Sequence, residues 1–136
     1  MTKFFLMIVD DDKDDRFFFR NAVKEIDPSY ECLEAQDGLE ALEKLRKADT
    51  LPHFIFLDLN MPIMNGKECL MELKKDEKLK NIPVIIYSTS NYKEDIDSTR
   101  ELGAVYYLTK LFDVTKLPDE LIKAMETAGE YVGHER

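Results

Sequence analysis

Apolar residues along the chain follow two patterns that alternate five times. Mostly apolar stretches of strand length occur at 4–9, 53–57, 83–87 and 104–108, and 30–35 alternates apolar and polar residues as an edge strand does. Each is followed by a segment in which apolar residues recur every three or four positions, the spacing of one helix face. In the second such segment, Leu39, Leu42 and Leu45 are predicted to face inward. Five strands alternating with five helices predict a doubly wound α/β fold with a parallel sheet and right-handed crossovers.

Polar residues with reactive side chains stand just after four of these predicted strands. In such sheets, sites form at the carboxyl ends of the strands, near the point where the strand order reverses. The side chains expected to meet at this rim are Asp10, Asp11, Asp58, Ser88 and Lys110. The neighbouring Asp12, Asp14 and Asp15 are interpreted instead as helix-capping or solvated charges, because acids at the start of a helix suit its dipole.

Carboxylates clustered at such a rim repel one another unless a cation lies among them. Mg²⁺ fits better than Ca²⁺, because it takes few carboxylates and keeps waters or phosphate oxygens as its other ligands. Asp58 is the candidate nucleophile, since an aspartate can attack phosphorus and form an acyl phosphate. Lys110 and Ser88 would then stabilise the phosphoryl oxygens. The chain has no GxxxxGK or GxGxxG motif, so the phosphoryl group must come from another protein or a small phosphodonor.

Composition adds limits to this picture. The 136 residues suffice for one domain, predicted at 1–128, with a frayed tail at 129–136. The net charge of −9, from 28 acidic and 19 basic residues, argues against nucleic acid and anionic membranes as partners. Cys32 and Cys69 form no metal or disulfide motif, and no apolar run is long enough to span a membrane. A cytoplasmic protein is expected.

Four motifs in this order resemble those of a response-regulator receiver domain. They are Val9-Asp10-Asp11-Asp12, Leu57-Asp58-Leu59-Asn60-Met61-Pro62 with Asn65-Gly66, Pro83 through Tyr87-Ser88, and Gly103-Ala104 through Tyr107 to Lys110. The resemblance covers nearly the whole chain and implies a flavodoxin-like strand order of 2-1-3-4-5. It implies that Asp58 is phosphorylated by a histidine kinase or phosphotransfer protein. Asp10, Asp11, Asp58 and the backbone carbonyl of Asn60 would bind Mg²⁺, and Ser88 and Tyr107 would be the switch pair.

The implied function is that of a stand-alone response regulator of two-component signalling. Such a protein is not an enzyme, although it promotes its own phosphorylation and dephosphorylation. Its output would be a protein-binding surface on the fourth helix, fifth strand and fifth helix, with phosphorylation-dependent dimerisation as a further expectation. Phe17 is a candidate contact for the phosphodonor. The alternatives are a phosphorelay intermediate, an aspartyl-phosphate phosphatase or mutase, and a scaffold whose acid pocket is only structural. A phosphatase or mutase would need an acid where Asn60 stands.

One position departs from the family pattern. The family usually has Lys-Pro-Phe where this chain has Lys110-Leu111-Phe112, and the peptide bond before that proline is typically cis. A cis bond before Leu111 would cost about 3 kcal/mol, against under about 1 kcal/mol for proline. The sequence leaves open whether the Lys110–Leu111 bond is cis or trans.

Overall fold

A computed structural model describes residues 3–110, 112–129 and 131. The question of a cis or trans Lys110–Leu111 bond concerns Leu111, which lies outside the described residues. Most of the predicted tail also lies outside them. Tyr131, within that tail, is buried against the core, and its hydroxyl is 3.0 Å from the hydroxyl of Tyr30. The chain is therefore packed at this residue, while the domain boundary itself stays a prediction.

Strands and helices alternate along the described residues as the sequence predicts. The strands are β1 (Phe5–Val9), β2 (Glu31–Ala35), β3 (Phe54–Leu57), β4 (Val84–Ser88) and β5 (Tyr106–Thr109). The helices are α1 (Lys13–Ile26), α2 (Gly38–Lys47), α3 (Gly66–Lys75), α4 (Lys93–Glu101) and α5 (Leu117–Thr127), with a 3₁₀ turn at Val114–Lys116 leading into α5. None of the helices in the described ranges is long and apolar enough to cross a membrane.

The sheet confirms the predicted topology. Its strands are parallel and lie in the order β2-β1-β3-β4-β5. The strand order reverses at β1, which lies between β2 and β3. In the register of the central pair, Val9 stands beside Leu57, so the residues that follow these two leave the sheet side by side.

Two apolar clusters, one on each face of the sheet, explain why the inner strands β1, β3 and β4 are almost entirely apolar. In β1, Leu6 and Ile8 face the cluster formed with α1 and α5. Met7 and Val9 face the opposite cluster, formed with α2 and α3. A strand that is covered on both faces has no solvent side on which polar residues would alternate.

The prediction for the inner face of α2 is wrong at one position. Leu39 is 42% exposed. The buried face begins instead at Gly38, which lies against Met64 and Cys69. Residues three, four and seven positions after Gly38 share its face of the helix, and these are Ala41, Leu42 and Leu45. Leu39 therefore points away from the core.

The start of α3 ties a helix directly to the end of β3. Asn65 caps the helix by accepting from the backbone N–H of Glu68 at 2.9 Å, and the Glu68 side chain accepts from the N–H of Asn65 at 3.0 Å. Gly66 follows, packed against the backbone of Asp58 and Leu59. A Cβ atom added at Gly66 would lie 2.2 Å from the Asp58 carbonyl oxygen, so only glycine allows this approach.

We expect Gly66→Ala to destabilise the fold although alanine is the better helix former. The added methyl meets backbone atoms that cannot move without shifting β3, so we expect a loss of about 2 kcal/mol or more in the free energy of unfolding. Urea unfolding followed by circular dichroism measures this loss. Lys75→Ala, at the exposed end of the same helix, is the control and should change little. Equal stability of Gly66→Ala and the wild type would contradict the close approach.

Candidate functional site

Adjacent strands deliver two acids to one point of the sheet edge. The N–H of Asp10 donates to the Ala35 carbonyl of β2 at 3.0 Å, and the N–H of Asp58 donates to the Val9 carbonyl of β1 at 2.9 Å. Hydrogen bonding between neighbouring strands therefore continues one residue past β1 and β3. This continuation places the Asp10 and Asp58 side chains together at the reversal of the strand order, as the sequence predicts.

Three carboxylates converge at this point. Asp10, Asp11 and Asp58 each offer a carboxylate oxygen, and these oxygens all lie within 4.8 Å of one another. Asp10 is fully buried and Asp58 nearly so, while Asp11 is exposed. The backbone N–H of Asp12 donates to Asp10 Oδ1 at 3.0 Å, and that of Leu59 donates to Asp58 Oδ1 at 2.9 Å. These bonds hold the two buried carboxylates in defined orientations.

Burial makes the ionised state of the two inner acids costly. Burial raises the pKa of Asp58 to about 6; the neighbouring Lys110 opposes this rise, and the Asp10 charge adds to it. Burial likewise raises the pKa of Asp10, again opposed by the Lys110 charge. A divalent cation would relieve the repulsion among these acids, and oxygen ligands are those that Mg²⁺ and similar hard cations prefer. The donor set therefore fits such an ion.

Lys110 supplies the positive charge of the site. Its Nζ donates to Asp10 Oδ2 at 2.6 Å and to Asp15 Oδ2 at 2.8 Å, and lies 4.0 Å from Asp58 Oδ2. Burial acts to lower the pKa of Lys110, but the attraction of Asp10 and the hydrogen bonds to Asp10 and Asp15 outweigh it, so the pKa is raised. The ammonium also lies 4.9 Å from the centre of the Tyr87 ring.

The two residues of the predicted switch pair contact the same loop residue. Ser88, fully buried at the end of β4, accepts through its hydroxyl from the N–H of Ser90 at 3.2 Å. The Tyr107 hydroxyl, from β5, donates to the Ser90 carbonyl at 2.8 Å. The Ser90 hydroxyl in turn contacts Asp95 of α4, whose other oxygen accepts from Lys67 of α3. The loop after β4 is thus held by neighbours on three sides.

The remaining predicted residues lie outside the buried cluster. Asn60 is exposed and lines an open cleft together with Asp11 and Asp95. Phe17 is 48% exposed on α1 and contacts Phe18 edge-on. Phe18, which was not singled out from the sequence, lines a separate cleft at the Lys110 side of the rim. The other residues that line this cleft are Asp15, Tyr87, Lys110, Phe112 and Val114.

Two neighbours of Lys110 were missed from the sequence. Asp15 was interpreted as a capping or solvated charge, yet it forms an ion pair with Lys110. The capping role belongs to Asp12, which accepts from the N–H groups of Asp14 and Asp15. The sequence indicated only that Asp15 lies near the rim, because it stands in the first turn of a helix that begins there; it did not indicate the contact with Lys110. Tyr87 carried no such signal, since it closes an apolar run typical of a core strand.

We expect Asp58→Asn to stabilise the protein at neutral pH in the presence of a metal chelator. The folded pKa of Asp58, about 6, exceeds the ordinary value of 3.8, so protonation of Asp58 favours the folded state. The stability from this residue is complete below the ordinary pKa and is lost as the pH rises through about 6. Removing the charge should therefore add about 1 to 3 kcal/mol at pH 7.5.

Urea unfolding at pH 7.5 and at pH 4 measures this effect. The gain of Asp58→Asn over the wild type should be present at pH 7.5 and should shrink towards zero at pH 4. Asp49→Asn, at an exposed aspartate, is the matched control and should show little gain at either pH. A variant that is less stable than the wild type at pH 7.5 would mean that the ionised Asp58 stabilises the fold.

Comparison with known proteins identifies the family and the fold. The model of the response regulator receiver domain family matches residues 6–122. Response regulator Rcp1 from Synechocystis sp. is 34% identical over 110 residues, which cover 77% of this chain and 75% of that protein.

Two solved structures are similar over nearly their whole length. The phosphorylated cyanobacterial phytochrome response regulator RcpA has a TM-score of 0.82 and 32% identity, over 92% of each chain. The Mn²⁺-bound form of response regulator Rcp1 has a TM-score of 0.80 and 28% identity, over 98% of this chain and 100% of that one. Family match, sequence identity and fold agree, and the chain belongs to the response regulator receiver domain family of two-component signalling.

Proposed function

We propose that this protein accepts a phosphoryl group on Asp58 in an Mg²⁺-dependent reaction and thereby switches a protein-binding surface. The proposal rests on the charged groups that surround the Asp58 carboxylate. Oxygens of Asp10 and Asp11 lie within 4.8 Å, and the Lys110 ammonium lies 4.0 Å away. A nucleophilic oxygen, a seat for a divalent cation and a fixed positive charge are the parts that phosphoryl transfer to a carboxylate requires.

The relatives support this proposal. Receiver domains bind Mg²⁺ through an acidic pocket and interact with histidine kinases or phosphotransfer proteins. RcpA was solved in a phosphorylated form and Rcp1 in a form that holds Mn²⁺, an ion that like Mg²⁺ prefers oxygen ligands. In this chain the ion would be held by Asp10, Asp11, Asp58 and the backbone carbonyl of Asn60. When bound, it would neutralise charge on the phosphoryl oxygens.

The protein's own residues divide the remaining work. The Leu59 N–H holds one Asp58 oxygen at 2.9 Å, so the carboxylate is presented to the donor in one orientation. A bond forms from an Asp58 oxygen to phosphorus, while the bond from phosphorus to the donor's imidazole nitrogen breaks and the imidazole leaves. Lys110 stabilises the charge on the transferring oxygens, and its position against buried acids keeps it ionised.

Ser88 and Tyr107 would carry the signal from Asp58 to the surface. The Ser88 hydroxyl can donate to a phosphoryl oxygen on Asp58, and turning towards that oxygen would take the Ser88 oxygen away from the Ser90 N–H from which it now accepts. Because Tyr107 is bonded to the same Ser90, a shift of this loop reaches the outer edge of the sheet. That edge carries a cleft between α4 and β5 lined by Ile96, Thr99, Arg100, Ala104, Val105, Tyr106, Tyr107 and Thr109.

The proposed partners take separate faces. A downstream protein would bind at α4, β5 and α5, where the cleft beside Tyr107 is available. A histidine kinase or phosphotransfer protein would approach the Asp58 rim, with the exposed Phe17 on α1 as a docking contact. Phosphorylation-dependent dimerisation is part of the same proposal.

We expect the protein to take up a single phosphoryl group from acetyl phosphate when Mg²⁺ is present. Intact-protein mass spectrometry detects the adduct, and its loss in hydroxylamine identifies an acyl phosphate. The adduct should be absent from Asp58→Asn and from samples containing a chelator. Asp49→Asn is the control and should be modified like the wild type. No adduct on the wild type, or an adduct that persists in Asp58→Asn, would refute the proposal.

We expect Lys110→Ala to keep magnesium binding while losing the coupling to Tyr107. The ammonium is not a metal ligand, and its removal leaves the three carboxylates in place. Calorimetric titration measures the Mg²⁺ affinity, and the ring resonances of Tyr107 report whether phosphorylation reaches β5. Lys116→Ala, at an exposed lysine after β5, should behave like the wild type. Loss of magnesium binding in a folded Lys110→Ala variant would show that the role assigned to Lys110 is wrong.

A further inference from the structure

Besides Asp58, three side chains from separate parts of the chain lie around the Lys110 ammonium. Asp10 follows β1, Asp15 belongs to the first turn of α1, and Tyr87 lies in β4. The two acids are at hydrogen-bonding distance, at 2.6 and 2.8 Å, and the Tyr87 ring centre is 4.9 Å away. The lysine side chain is only 9% exposed. A charge covered to this extent needs fixed partners, because water is largely excluded from solvating it.

Asp10 and Asp15 differ in their relation to the predicted metal site. Asp10 belongs to the carboxylate cluster that would hold the cation, and a cation there would compete with Lys110 for the Asp10 charge. Asp15 stands outside that cluster, and its ion pair is with Lys110. The anchor that does not depend on the state of the metal site is therefore Asp15.

The backbone that carries Asp15 is itself held in place. The Asp12 carboxylate caps α1 by accepting from the N–H of Asp14 at 2.8 Å and from that of Asp15 at 3.3 Å. This cap fixes the first turn of the helix relative to the end of β1. The Asp15 carboxylate is thus presented to Lys110 from a rigid element.

The donor geometry of the ammonium leaves room for a further partner. A lysine ammonium has three N–H donors, and Asp10 and Asp15 take two of them. Asp58 Oδ2, at 4.0 Å, is beyond hydrogen-bonding distance but close enough for an added phosphoryl oxygen to come within reach. An ammonium held by Asp15 at this separation is already beside the atoms that react.

We propose that Asp15 is a positioning residue that holds the Lys110 ammonium beside Asp58 for phosphoryl transfer. The inference rests on the proposed function of Asp58 and adds to it a residue outside the phosphorylation and metal sites. Asp15 touches neither the phosphoryl group nor the cation and acts through Lys110. Without it, the lysine keeps its charge but loses the anchor that is independent of the metal.

The test compares Asp15→Asn with Asp14→Asn. Both variants remove one acid from the same helical turn, but Asp14 is exposed and its side chain is not placed against Lys110. With acetyl phosphate and Mg²⁺, Asp15→Asn should be phosphorylated about tenfold more slowly than the wild type, because a small misplacement of a reacting group is costly. Asp14→Asn should match the wild type, and Asp15→Glu should recover part of the rate.

Two further readouts separate positioning from a general effect on the fold. In nitrogen-15 spectra of the lysine side chains, the Lys110 ammonium protons should exchange with water faster in Asp15→Asn than in Asp14→Asn. The Mg²⁺ affinity of Asp15→Asn should equal that of the wild type. In a Lys110→Met background, adding Asp15→Asn should change the phosphorylation rate no further, because coupled residues show non-additive effects.

Several results would overturn the inference. Equal phosphorylation rates for Asp15→Asn and Asp14→Asn would contradict the positioning role. The same conclusion would follow if Asp15→Asn slowed phosphorylation in the Lys110→Met background as much as it does in the wild type. A weakened Mg²⁺ affinity would show that Asp15 acts through the metal site. Failure of the wild type to accept phosphoryl would instead refute the proposed function, and the inference with it. A phosphorylated wild type with an unaffected Asp15→Asn refutes the inference alone.

Discussion

The site depends on charge that is buried without full compensation. Asp10 and Asp58 are covered by the sheet edge, and Lys110 lies close to both. With Asp11 and Asp15 also present, four acids share one lysine in this small volume. Burial raises the pKa of both inner acids, which means that the folded protein carries their charges at a cost in stability. A site with this surplus of negative charge is suited to bind a cation.

The fold produces this arrangement through the ends of its parallel strands. The register of β1 and β3 sets Asp10 beside Asp58, and the hydrogen bond from the Lys110 N–H to the Ser88 carbonyl, at 2.7 Å, extends the pairing of β4 and β5 to the lysine. Gly66 lets α3 begin directly against the Asp58 backbone. The position of Asp58 is therefore set by backbone contacts, and the neighbouring side chains determine the charge around it.

This division explains which features the sequence could predict. Residues such as Asp58 and Lys110 follow apolar runs, and parallel strands bring such strand ends to one edge whatever the details of packing. The contact between Asp15 and Lys110 depends on the direction in which one turn of α1 faces across the rim, and sequence spacing does not specify that direction. The prediction that Leu39 faces the core was wrong for a related reason. Its spacing from Leu42 fits a helix face, but the close approach at Gly38 decides where that face begins.

The loop after β4 connects the rim to several neighbouring elements, so a change at Ser88 affects more than the rim. Its residue Ser90 is held through the N–H by Ser88, through the carbonyl by Tyr107 and through the hydroxyl by Asp95. These three partners belong to β4, β5 and α4, and Asp95 is in turn paired with Lys67 of α3. If the Ser88 side chain turns so that its hydroxyl donates to a phosphoryl oxygen, the Ser90 N–H loses the acceptor that it has in Ser88. The contacts of Ser90 with Tyr107 and Asp95 then either move with the loop or form again in a new geometry. In both cases the surface beside Tyr107 moves. A switch of this kind needs only two packings of one loop, because packed contacts exchange between discrete arrangements more readily than they stretch.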